Sequence, residues 1–174
     1  GMMARVGPEQ LRRIVPGEEG IRMIRFDSIR QRLFIIRKNN QVLITDPLTG
    51  ELTGSLTADQ PQSLELTPAF IYVAGGKSSV WKYDARTLKL VRKIKVHSSG
   101  DECYGTVMSL DYRYLVIQVS DRFVTLDTRT DRVLYERYDH DYANGTMAVS
   151  HNNRLLATGG FDSRIHLYEL ATGK

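Results

Sequence analysis

The last twenty residues of the chain, LLATGGFDSRIHLYELATGK (155–174), hold two stretches of alternating apolar residues. Alternation with a period of two is the pattern of a half-buried β-strand, and the polar pieces that follow each stretch predict turns. The second stretch ends on an acidic residue, Glu169, immediately before its turn. The segment therefore predicts two antiparallel strands, and its acidic residue marks similar segments elsewhere in the chain.

Three other segments share this marker. Each has alternating apolar residues, an acidic residue in fifth place and then a turn containing Thr, and the markers recur about every forty residues. A helical repeat would need apolar residues at i, i+3, i+4 and i+7 over about ten positions, and no such window occurs. The four segments are VLITDPLTGE (42–51), VWKYDARTLK (80–89), FVTLDTRTDR (123–132) and IHLYELATGK (165–174).

Further strand patterns surround every marker. Two apolar stretches precede each acidic residue, and one more follows the first three markers. The repeating unit is thus a four-stranded antiparallel meander, strands a to d, which is the form of a propeller blade. The sequence predicts an all-β, single β-propeller or half-propeller domain over residues 1–174, with blades at 21–56, 63–96, 105–138 and 146–174.

The fourth blade lacks its outer strand, and the N-terminal region offers a candidate. The segment QLRRIVPGEEGIRMIRFD (10–27) resembles RKIKVHSSGDECYGTVMSLD (92–111), because both run from a basic β pattern through a polar loop into a first strand. We therefore expect the N-terminal strand, Leu11–Val15, to complete the last blade.

Blade number bears on assembly. Propellers have roughly four to eight blades, so a chain with four blade equivalents allows three arrangements. These are a tight monomer, a homodimer that closes a larger ring, and a ring completed by another polypeptide. Because an open half-ring would leave unpaired sheet edges, we expect the homodimer or the hetero-assembly.

Composition bounds the class of protein. The chain of 174 residues is 41% hydrophobic and 25% charged, which is typical of a globular protein. Its single cysteine, Cys103, cannot form an internal disulfide, and no apolar run approaches the roughly 20 residues of a membrane helix. These features predict an intracellular, cytoplasmic protein without membrane association, with a nuclear location as the alternative.

No catalytic, cofactor or metal site is predicted. The cluster Asp139–Tyr142 is typical of a turn, and Cys103 of a small buried or loop thiol. The sequence Gly75–Ser78 lacks the first glycine of a phosphate loop and precedes a strand pattern instead of a helix. The four histidines show neither HExxH nor paired Cys/His spacing; they are His97, His140, His151 and His166.

Two basic segments, RQRLFIIRK (30–38) and VRKIKV (91–96), raise RNA binding as an alternative. In the second segment the alternation places Lys93 and Lys95 along an outer strand, where charge discourages edge-to-edge pairing. Base stacking would require aromatic residues on the same face, and few are present. The net charge of +4 is also small, so nucleic-acid binding is the weaker interpretation.

The last blade resembles the WD40 family. A blade of that family carries a pattern like S-G-S-x-D-x-T-I-x-L-W-D before a Thr-Gly-Lys turn, and TGGFDSRIHLYE (158–169) follows it with Tyr for Trp and Glu for Asp. The other blades match less well, and LITDPLTGEL (43–52) also resembles the repeats of quinone-cofactor propellers. The WD40 resemblance implies a hydrogen-bonded structural network in the last blade, formed by His140, Thr158, Asp162 and Tyr168.

The same resemblance implies a non-catalytic scaffold for protein–protein interaction, with no cofactor. In the family, the d–a and b–c loops of one face commonly hold a partner protein or peptide, and the positive net charge favours an acidic partner. A propeller enzyme or ligand-binding unit of the quinoprotein-like type is the alternative. The positions expected on the partner-binding face are Arg37, Lys38, Asn39, Lys77, Tyr104, Arg122, Tyr142, Phe161 and Asp162.

Overall fold

The computed structural model describes residues 2–4, 13–15, 19–138 and 144–174. All regular elements in these residues are β-strands, so the all-β prediction is confirmed. No helix in this part of the chain has the length and apolar character needed to cross a membrane. The chain divides into two compact units, Gly1–Pro61 and Gln62–Lys174.

The first unit contains a two-stranded sheet and a four-stranded antiparallel meander. We call the four-stranded meander the first sheet. The middle strands of the first sheet are its most buried, because their sequences LFII and VLI are continuously apolar. The strands of the unit are β1 (Met2–Ala4), β2 (Arg13–Val15), β3 (Ile21–Asp27), β4 (Arg32–Arg37), β5 (Val42–Thr45) and β6 (Leu52–Leu56).

The second unit contains three antiparallel sheets, each with its strands in sequence order. The second sheet consists of β7 (Ser63–Leu66), β8 (Phe70–Ala74), β9 (Ser79–Asp84) and β10 (Leu90–Lys95). The third sheet consists of β11 (Cys103–Met108), β12 (Tyr114–Val119), β13 (Arg122–Asp127) and β14 (Arg132–Tyr138). The last sheet consists of β15 (Asn144–Val149), β16 (Leu155–Gly160) and β17 (Ile165–Glu169).

The third sheet is buried on both faces, and β12 shows why. All six residues of β12, YLVIQV, are buried, and successive side chains of a strand point to opposite faces. Leu115 and Ile117 pack into a cluster with side chains of the second sheet, such as Val80. Val116 packs on the other face into a cluster with Leu156 of the last sheet. Each such side chain contributes roughly 1.5–3 kcal/mol by leaving water, so these two clusters hold the three sheets together.

The acidic markers shape the turns between strands c and d. In three of the four repeats the aspartate Oδ1 accepts backbone N–H groups two or three residues further on, which is the geometry of an Asx turn. The bonds from Thr87 and Arg86 hold the pKa of Asp84 below its ordinary value. The bonds run to Asp46 from Leu48 (2.7 Å) and Thr49 (3.2 Å), to Asp84 from Arg86 and Thr87 (both 2.8 Å), and to Asp127 from Arg129 (2.9 Å).

A buried ion pair joins the second and third sheets. Lys82 of β9 places its Nζ 2.9 Å from Oδ2 of Asp131, in the turn before β14, and both side chains are less than a tenth exposed. The same ammonium lies 4.0 Å from the centre of the Phe70 ring. The exposed Arg92 lies 3.6 Å from the same Asp131 oxygen, so Asp131 has a second cation nearby, whereas Asp131 is the one carboxylate recorded in an ion pair with Lys82 among the described residues.

The N-terminal strand pairs locally, and its predicted completion of the last blade stays a prediction. Residues 13–15, part of the predicted strand Leu11–Val15, pair with Met2–Ala4 as β2 and β1. The last sheet consequently has three strands among the described residues.

Removal of either partner of the buried ion pair should destabilise the second unit unequally. We expect Asp131→Asn to cost about 3 kcal/mol, because it leaves the Lys82 ammonium buried without a counter-charge. Lys82→Met should cost less, because Asp131 keeps Arg92 and the thioether still packs on Phe70. Urea unfolding of both variants and of the double variant measures this; the double variant should be more stable than the sum predicts, and additive losses would contradict the coupling.

Candidate partner-binding face

Most of the predicted binding positions of the second unit lie at the same end of its strands, which we call one edge of the sheets. In an antiparallel meander the b–c turn and the d–a connection lie at the same edge. Backbone bonds join these loops between sheets: Ser78 N donates to Asp101 O (2.7 Å) and Cys103 N donates to Gly75 O (2.9 Å). We call the b–c turns and d–a connections of the second unit the partner-binding face.

Arg122, predicted as an anchor, is held firmly at this face. It begins β13, and its side chain is 15% exposed. Its guanidinium carbon lies 4.3 Å from the centre of the Tyr138 ring, its Nη1 lies 2.7 Å from Nε2 of His97, and its Nε donates to Asp121 Oδ1 at 3.4 Å. Such fixed packing lowers the entropy that a binding partner would otherwise have to remove.

His97 connects this arginine to a carboxylate. Ser99 N donates to Nδ1 of His97 at 3.0 Å, so that nitrogen carries a lone pair. Nε2 lies 3.1 Å from Oε2 of Glu136. Nε2 thus lies between the guanidinium of Arg122, which can only donate, and the carboxylate of Glu136, which can only accept, and the ring brings these two opposite charges close together.

Three large aromatic side chains are exposed around this edge. Phe161, in the b–c turn of the last sheet, is 76% exposed, Tyr138 is 69% exposed and Tyr104 is 53% exposed. Lys77 is exposed in the b–c turn of the second sheet, with a positive φ of 57°. Exposed aromatic residues with few rotatable bonds are typical anchors of protein interfaces.

The predicted positions of the first unit form a separate group in its own b–c turn. Arg37 Nη1 and Asn39 Nδ2 both donate to Oε1 of Gln41, at 3.0 and 3.1 Å. Lys38 is exposed, and its backbone N–H donates to Gly20 O at 2.8 Å. The turn is thus fixed by its own hydrogen bonds, and it presents the Lys38 ammonium to solvent.

The predicted structural network of the last blade stays a prediction. His140 and the predicted binding residue Tyr142 lie outside the described residues. Thr158 is buried, and Oδ1 of Asp162 accepts from Arg164 N at 3.1 Å. The Tyr168 hydroxyl lies 3.4 Å from Nδ1 of His166, a contact that the family pattern does not suggest.

Two residues at this face were not predicted from the sequence, namely Glu136 and Tyr138. Both lie on β14, and pairing of β13 with β14 places Tyr138 directly opposite Arg122. Opposite residues of paired strands share a face, so this contact depends on strand register. The alternation in RVLYERY (132–138) was the available signal, because it puts Tyr138 on the same side as Glu136 and Leu134.

The described residues offer little for catalysis. Within 19–138 and 144–174 no group of three His, Cys, Asp or Glu side chains is placed to hold a metal ion. Cys103 is buried, as expected, and burial raises the pKa of its thiol to about 12. The thiol is therefore protonated at neutral pH and unsuited to act as a nucleophile.

Comparison with solved structures gives the fold. A chain in the crystal structure of the mitotic checkpoint complex superposes with a TM-score of 0.78 at 20% sequence identity. The match covers 88% of this chain and 49% of that chain, so this chain spans about half the length of the protein it matches. Together with the antiparallel four-stranded sheets, the likeness confirms a β-propeller fold.

The other comparisons identify neither a family nor a function for the chain. No family model matches the chain, and no curated protein matches it. As many as 1262 chains of solved structures resemble it, and a fold shared so widely supports many functions. The function must therefore be argued from the loops of this chain.

Proposed function

We propose that this chain is a non-catalytic scaffold that binds a partner protein or peptide at the partner-binding face. The observation that carries the proposal is the grouping of exposed aromatic rings, Phe161, Tyr138 and Tyr104, with the held guanidinium of Arg122 at one edge of the second unit. Aromatic residues and arginine contribute most of the binding energy at protein interfaces. The rigid sheets beneath keep these groups in place without a partner.

The chemistry around Arg122 favours a protein partner over nucleic acid. The carboxylates of Asp121 and Glu136 lie next to the guanidinium–imidazole group and would repel a phosphate backbone. The net charge of +4 still supports a partner with acidic residues. The matched chain belongs to a structure of a complex, which agrees with a role in binding proteins. A cytoplasmic location stays a prediction from the sequence.

We also propose that the chain assembles through the outer face of the last sheet, as a homodimer or with another polypeptide. Two apolar side chains of that face are exposed: Ile165 (78%) and Leu167 (66%). The opposite face of the same sheet is covered by the third sheet. Stacking of a further sheet would bury these side chains in the same way.

Partner capture tests the binding proposal. Extract from the source cells is passed over immobilised wild-type protein and over the variants Phe161→Ser, Arg122→Gln and Arg129→Gln. Arg129 is an exposed arginine of the same sheet, but it lies in the c–d turn at the opposite edge. We expect a protein retained by the wild type and by Arg129→Gln to be lost with the other two variants. Identical capture by all four proteins would contradict the proposal.

Light scattering after gel filtration tests the assembly. We expect a mass above the 19.8 kDa of one chain, returning to that value in Leu167→Lys, because a charge would be placed in the apolar contact. Leu134→Lys is the matched control, since Leu134 is also exposed but lies on β14. A mass of 19.8 kDa for the wild type at all concentrations would rule out the homodimer.

A further inference from the structure

A polar cleft lies at the edge of the second unit opposite the partner-binding face. It has a volume of about 600 Å³, within the range of sites that hold small molecules or short peptide segments. Its walls come from the a–b turns of the third and last sheets and from the end of β17. The residues around it are Asp111, Arg113, Tyr114, Asn152, Arg154 and Glu169, together with Asn153, Leu155 and Ala171.

The two turns that form the walls have the same sequence pattern, Ser-x-[Asp/Asn]-x-Arg, at 109–113 and 150–154. In each turn the serine hydroxyl bonds the Oδ1 of the Asp or Asn, at 2.6 Å and 2.7 Å, and the same Oδ1 accepts the arginine N–H at 3.1 Å. Asn153 Oδ1 then accepts Leu110 N at 2.6 Å, which ties one turn to the other. The repeat thus presents Arg113 and Arg154 from equivalent positions on a fixed frame.

Several donors of the cleft have no acceptor in the described part of the chain. Nε of Arg113 is buried and makes no hydrogen bond there, and neither arginine forms an ion pair with a described residue. Asn152 and Asn153 use only their Oδ1 atoms, which leaves both Nδ2 groups without a described partner. Buried donors are normally satisfied, so the Nε of Arg113 is unusual. The exposed Asn152 and Arg154 add donors at the cleft surface that suit a ligand with anionic oxygens.

Other groups in the cleft restrict the class of ligand. The carboxylates of Asp111 and Glu169 also line it, so its net charge is close to zero and a polyphosphate would meet repulsion. Leu155, 46% exposed, adds an apolar wall. We propose that this cleft binds a short segment of a partner protein in which an acidic side chain lies next to an apolar one.

In the proposed complex the carboxylate of the peptide lies between the guanidinium groups of Arg113 and Arg154, and the neighbouring apolar side chain packs on Leu155. A carboxylate can accept two parallel N–H bonds from one guanidinium, which suits Arg113 and Arg154 because neither guanidinium has an ion pair with a described residue. This second site does not depend on the partner-binding face, because it lies at the other edge and uses other side chains.

The test selects random peptides displayed on phage against the whole wild-type chain and measures the affinity of the synthesised peptides by fluorescence polarisation. We expect the selected peptides to carry Asp or Glu beside Leu, Ile or Phe. Arg113→Gln and Arg154→Gln should each weaken binding at least about tenfold, since each removes a charge-assisted hydrogen bond. Arg113→Lys should weaken binding less than Arg113→Gln, because it keeps the charge but loses the planar fork.

The variant Asn152→Asp separates a loss of peptide binding from a loss of folding. It gives the second turn the Ser-x-Asp-x-Arg sequence that already folds in the first turn, while it replaces an amide donor with a negative charge. We expect an unchanged melting temperature and weaker peptide binding. Arg122→Gln, at the partner-binding face, should leave peptide binding unchanged, which separates this site from the proposed function. The proposal is overturned if no peptides are recovered, or if the recovered peptides lack acidic residues. It is also overturned if phosphorylated versions bind more tightly than Glu-bearing ones, or if Arg113→Gln and Arg154→Gln bind the peptides as tightly as the wild type does.

Discussion

Burial of the third sheet on both faces is the constraint on which the rest of the second unit depends. Odd-numbered residues of β12, such as Leu115 and Ile117, face one apolar cluster, and even-numbered residues, such as Val116, face the other. A sheet whose central strand is apolar on both faces cannot lie at the end of a stack of sheets, because one of its apolar faces would then be exposed to water. The stack in turn fixes where the loops of each sheet emerge, and these loops carry the chemistry of the molecule.

The two edges of the second unit differ in that chemistry. One edge presents Phe161 and the Arg122 group, in which the arginine lies beside the Asp121 carboxylate and is supported by Tyr138. The other edge presents the cleft between two turns of identical pattern, where the donors of Arg113 lack a described partner. The first is suited to an apolar and aromatic contact, and the second to an acidic side chain. Under the proposed function, these two unlike surfaces would bind two different partners.

The sequence predicted the strands well, because alternation and the acidic markers are local signals. The markers mattered for a physical reason: Asp46, Asp84 and Asp127 hold the c–d turns by accepting backbone N–H groups. Pairing of distant segments was less predictable. Residues 13–15 belong to a segment that was predicted as an outer strand. The sequence of a strand does not specify which strand it pairs with, and in the structure Met2–Ala4 pairs with residues 13–15.

The candidate sites were predictable only in part. Exposure of Phe161 and Tyr104 followed from their loop positions, whereas the contact of Arg122 with Tyr138 depends on register that local patterns do not give. The cleft was not predicted, although its signal, the repeated Ser-x-[Asp/Asn]-x-Arg, is visible in the chain. The repeat becomes meaningful only when the stacking of sheets brings the two turns together.

Amide hydrogen exchange of the second unit tests the central claim, that the doubly buried third sheet holds the unit together. The amides of β12, which is paired on both sides, should exchange slowest and share the free energy of global unfolding, while those of the outer strands β10 and β17 should exchange faster. Exchange of β12 as fast as that of β10 would contradict the claim.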